Sequence, residues 1–144
     1  MERSGLDIGE KGNLKDYICV NIKDQDNVNI KLTQPHIIDI IINDVQIPKN
    51  TAPQQIPALF TSILRRNATA PLFGERFNCR SVVKKLNFLE KITNPDIAYA
   101  THQYDRFSQD PRTSHRYAIV HLVKYLKATM TQGITLDSED NKSF

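Results

Sequence analysis

Within residues 80–100, RSVVKKLNFLEKITNPDIAYA, apolar side chains recur at spacings of three and four: Val82, Val83, Leu86, Leu89 and Ile92. That spacing predicts a helix with one buried face, and it obliges the rest of the chain to supply elements that cover the face. The opposite side carries Arg80, Lys84, Lys85 and Lys91. Such an outer face is explained as readily by solvation as by a polyanionic partner. Thr93-Asn94-Pro95-Asp96 then breaks the helix and starts another, because proline suits a first helical position and aspartate a first turn.

The remaining chain supplies the covering elements. Leu14–Lys23 and Val28–Leu32 alternate apolar and polar residues around the turn-forming Lys23-Asp24-Gln25-Asp26-Asn27, which predicts a β-hairpin. Pro35 opens a helix over HIIDIIINDV, with Ile37, Ile38, Ile41, Ile42 and Val45 on a wide apolar face. Pro48, Pro53 and Pro57 make residues 48–58 an extended connector. Leu59–Arg66 is compatible with a short helical turn. Asp96–Phe107 continues helically with Ile97, Ala100, Thr101, Tyr104 and Phe107 on one side. Ser114 is the expected N-cap of a last helix, Arg116–Met130, which turns Ile119, Leu122, Val123 and Leu126 inward and Arg116, Lys124 and Lys127 outward. The expected fold is α+β: an N-terminal hairpin followed by a mainly helical bundle.

At 144 residues and 40% hydrophobic content, the chain fits one compact unit with a core. No apolar run is long enough for a membrane span, and the N-terminus has no signal-peptide core. Two cysteines, Cys19 and Cys79, define no disulfide framework and suggest a reducing, intracellular setting. Net charge is +3, but Phe60–Met130 holds 12 Lys or Arg against 5 Asp or Glu. A basic middle between acidic ends suits a surface that meets phosphate, though a solvated helix face gives the same count.

Catalytic patterns are absent from the sequence. His36, His102, His115 and His121 do not combine with Cys or Glu at zinc-ligand spacings. There is no glycine-rich phosphate loop and no nucleophile elbow. Asp24-Gln25-Asp26-Asn27 lacks the central glycine and closing glutamate of a calcium loop. Two-metal nucleotidyl transfer needs carboxylates that hold ions about 4 Å apart, and Asp7, Asp16, Asp24 and Asp96 fall on termini, turns or a helix start. Asn67-Ala68-Thr69 is a formal glycosylation sequon, read as chance.

Six segments occur in an order that resembles the reverse transcriptase of Ty1/copia-type retrotransposon polyproteins. They are GNLKDYICVNI (12–22), NVNIKLTQPHIID (27–39), CRSVVKKLNFL (79–89), TNPDIAYA (93–100), DRFSQDPRTSH (105–115) and KYLKATMTQGI (124–134). The resemblance covers roughly residues 8–136, in the region that follows the polymerase active site. It implies that residues 1–33 are the end of the palm and a primer-grip hairpin, that 34–136 are thumb and connection helices, and that 137–144 lead toward an RNase H domain. The helix at 80–92 would lie along the minor groove of a template–primer duplex. The implied nucleic-acid-binding residues are Tyr17, Arg80, Lys84, Lys85, Asn87 and Lys91. Departures from the family pattern are Cys19 at a primer-grip glycine, Cys79 at a tyrosine, Lys84 at a glycine of the minor-groove helix and Asn94 at an arginine.

On this resemblance the chain is a polyprotein fragment of an RNA-directed DNA polymerase that carries neither the polymerase nor the RNase H aspartates. It would be inactive alone. It needs no cofactor, since Mg²⁺ would bind in the palm. Its partners would be the RNA/DNA template–primer duplex and the rest of the polyprotein, not a membrane, and its expected location is cytoplasmic, in a virus-like particle. Two alternatives follow from the residues: a standalone nucleic-acid-binding module using the basic middle, or a protein-interaction module using the isoleucine-rich helix. The Ile37–Val45 face and the hairpin would in the first reading pack against a palm.

Overall fold

A computed structural model describes residues 16–17, 19–25, 29–58, 64–66, 69, 71–72, 74 and 76–137. The architecture is α+β: an antiparallel sheet beside four α-helices. The expected hairpin is present as β2 (Val20–Gln25) and β3 (Asn29–Thr33), with Ile22 opposite Leu32 and Gln25 opposite Asn29. The predicted strand at Leu14–Lys23 is not continuous. A short β1 (Asp16–Tyr17) folds back on β2, with Tyr17 paired to Val20. That pairing leaves two positions for the reversal, and Cys19 takes a left-handed conformation there, with φ of 61°. Cysteine carries the Cβ penalty that glycine avoids in this region.

A fourth strand was not predicted. Residues Ile134–Asp137, past the last helix, form β4, antiparallel to β3. The register puts Ile22, Ile30, Leu32, Ile134 and Leu136 on one sheet face. Ile30 and Leu136 on that face are exposed. Gly133 makes the junction possible: a Cβ there would stand 1.9 Å from the Leu32 carbonyl oxygen.

The helices are α1 (Pro35–Val45), α2 (Cys79–Ile92), α3 (Ala98–Asp105) and α4 (Thr113–Ala128). Each packs on its neighbours in the order α1–α2–α3–α4 and back to α1, so α2 and α4 are diagonal across the core. Their apolar faces meet there: Ile38 and Ile41 of α1, Val82, Val83, Leu86 and Leu89 of α2, Ala100 and Tyr104 of α3, and Ile119, Leu122, Val123 and Leu126 of α4. The apolar face of α1 is therefore buried within this chain. Residues 48–58 form the expected irregular connector. The proposed helical turn at 59–66 and the sequon at 67–69 lie largely outside the described residues.

Helix ends follow local chemistry. Pro95 opens a single 3₁₀ turn, Pro95–Ile97, that leads into α3. The last helix begins earlier than expected, at Thr113 rather than Arg116, and Ser114 is not its cap. The buried His115 is the reason: its Nδ1 accepts the Arg112 N–H at 3.0 Å. It thus performs the return half of a capping box from the third helical position. The other ring nitrogen lies 3.2 Å from the Arg65 carbonyl, and Phe107 stacks on the ring at 4.4 Å.

Candidate nucleic-acid interface

Helix α2 is started by Asn78, whose Oδ1 accepts the Ser81 N–H at 3.0 Å, satisfying one of the donors that a helix leaves unpaired at its first turn. Val82, Val83, Leu86 and Leu89 then enter the core. At about 100° per residue, Arg80, Lys84, Asn87 and Lys91 fall within about 60° of one another on the opposite side, over about 16 Å of axis. Arg80, Lys84 and Lys91 are exposed, and Asn87 is half-buried. None of the three cations forms an ion pair with a described residue. Lys84, at the glycine position of the resemblance, projects away from the core.

Lys85 is differently employed. It stands about 100° away from Lys84, on the flank next to α1, where its ammonium pairs with Asp44. It also lies 3.3 Å from the Ser81 hydroxyl. The one acid of α2, Glu90, turns to the other flank, where Oε1 is 3.3 Å from His102 Nε2 on α3. The stripe itself is therefore free of carboxylates. Tyr17 belongs to a different element, the edge strand β1, opposite Val20.

The junction below α2 is polar and buried. Gln34, Thr93 and Asn94 are almost fully enclosed. The Thr93 hydroxyl lies 2.9 Å from Gln34 Oε1 and 2.8 Å from Asn94 Oδ1, and can donate to one of them at a time. Asn94, at the arginine position of the resemblance, is thus an internal group. Cys79 is also internal: burial pushes its thiol up to about 11, outweighing the helix N-terminus that would favour a thiolate. The Gln34–Thr93 contact carries no sequence signal, because it joins residues 59 positions apart.

No group of three His, Cys, Asp or Glu side chains among the described residues is arranged to hold a metal ion. No helix among them is long and apolar enough to cross a membrane. No protein-family model matches the chain, and no curated protein and no solved structure is significantly similar to it.

Proposed function

We propose that this chain holds a nucleic-acid duplex, as the primer-grip and thumb region of a Ty1/copia-type reverse transcriptase. The observation that carries the reading is the carboxylate-free stripe of Arg80, Lys84, Asn87 and Lys91 on a helix anchored by its other face. Stability gives no reason for Arg80 in the first turn, where a cation opposes the helix dipole. A phosphate at that end would be favoured by both the dipole and the guanidinium. The cations would position the duplex by its backbone, and Asn87 would offer the hydrogen-bonding group among them.

Two backbone features support the family resemblance. Cys19 stands at a family glycine and has a positive φ, the conformation for which glycine is the default. Gly133 lies in the last matching segment and has no room for a side chain. The role is to bind and orient; the reading assigns this chain no bond-making step.

The test is equilibrium binding of a fluorescent RNA–DNA hybrid. Arg80→Glu/Lys84→Glu/Lys91→Glu should abolish the affinity seen with the wild-type chain while circular dichroism stays helical. Equal affinity for both proteins would defeat the reading. Template-directed dNTP incorporation by the chain alone would do so as well.

A further inference from the structure

A second basic surface is built mainly on α4, which stands diagonal to α2 in the bundle. The end of α1, the connector after it, the residues before α2 and the outer side of α4 enclose a groove of about 290 Å³. Arg76, Arg116 and Lys124 line it with Tyr117 over an apolar floor that includes Phe77 and Val120, and among the described residues no acidic side chain lines it. None of the three cations forms an ion pair with a described residue.

The spacing on α4 explains the arrangement. Arg116, Val120 and Lys124 are four residues apart, so they share one face, with the two cations about 12 Å apart along the axis. Tyr117 adjoins Arg116 and is 73% exposed. At that exposure the ring buries little against the bundle, yet it lines the same groove as the three cations.

We infer that this groove binds single-stranded nucleic acid, with phosphates against Arg76, Arg116 and Lys124 and one base stacked on Tyr117. The cations fit any polyanion, but the exposed ring narrows the choice. A duplex keeps its bases stacked on one another and has no free face for an aromatic side chain. An acidic peptide would pair with the cations and leave the ring unused. A single strand uses both, which is the recurrent combination in single-strand binders. The inference does not depend on the duplex role of α2, because none of Arg80, Lys84, Asn87 and Lys91 lines the groove.

The test uses the full chain with fluorescent dT₁₂ and an abasic strand of equal length at low salt. The wild-type chain should bind dT₁₂, and Tyr117→Ala should weaken it about tenfold, a typical loss for one stacked base. Tyr117→Phe should bind as the wild type does. The abasic strand should bind more weakly and be indifferent to Tyr117→Ala. Arg116→Gln/Lys124→Gln should lose dT₁₂, whereas the triple α2 variant should keep it within about twofold. Equal binding of the two strands, indifference of dT₁₂ to Tyr117→Ala, or loss in the α2 variant alone would overturn the inference. A wild-type chain that binds dT₁₂ but not the hybrid would instead count only against the role of α2.

Discussion

The Tyr125 hydroxyl donates a hydrogen bond of 2.6 Å to the Asp96 carboxylate, joining α4 to the turn that separates α2 from α3. Burial pushes the Tyr125 phenol up to about 12, assisted by the bond to Asp96 and its charge. Tyr104, buried and donating to the Ala118 carbonyl at 3.0 Å, is pushed up further. Both phenols are raised in the folded state, so their stabilising effect is complete below the ordinary tyrosine value near 10 and is lost as pH rises. Urea midpoints should begin to fall above about pH 8.5, as the buried Cys79 thiol ionises only in the unfolded chain, and should fall more steeply between pH 10 and 12. Tyr125→Phe should cost about 1–2 kcal/mol at pH 8 and shrink the alkaline loss. A midpoint indifferent to pH up to 12 would contradict this.

The two thiols should differ sharply in reactivity. Cys19 is exposed and Cys79 is buried with a raised pKa. A disulfide reagent at pH 8 should label one thiol promptly and the second only as the chain unfolds. Peptide mapping should find the early label on Cys19.

Gly133→Ala should detach β4 from β3, because the added methyl meets the Leu32 carbonyl oxygen. Overpacking of this kind costs about 1–3 kcal/mol. Hydrogen exchange at Ile134–Asp137 should speed up, while exchange in α2 and α4 stays slow.

Much of the helical layout was legible because the apolar positions of α1, α2, α3 and α4 repeat at helical spacing in the chain itself. Pro35 and Pro95 marked their own helix starts for the same local reason. The sheet was legible only in part. β4 has four residues, too few for a period, and its partner β3 lies a hundred positions earlier. The reversal at Cys19 gave no signal because the expected glycine or asparagine is missing there. Ser114 looked like a cap by residue type, but the helix starts one residue before it, where the buried imidazole of His115 accepts the Arg112 N–H. On the candidate site, Lys84 and Lys85 are adjacent letters with the same chemistry. Only the fold separates them, by bringing Asp44 to Lys85 from another helix.

That separation has a direct consequence. Lys85→Ala should cost under about 1 kcal/mol of stability, as expected for a half-exposed ion pair, and should leave hybrid affinity within about twofold. Lys84→Ala should do the reverse, leaving the urea midpoint unchanged and weakening the hybrid. Isothermal denaturation and fluorescence anisotropy on the two variants check both halves.

The most direct test of duplex holding is the salt dependence of RNA–DNA hybrid binding. With three phosphates neutralised by Arg80, Lys84 and Lys91, log K should fall against log salt with a slope of about −2.7, or about 40-fold between 50 and 200 mM. Replacing Lys84 alone by Ala should reduce the slope by about 0.9. A slope near zero, or one unchanged by Lys84→Ala, would contradict the assignment of the α2 stripe to the duplex.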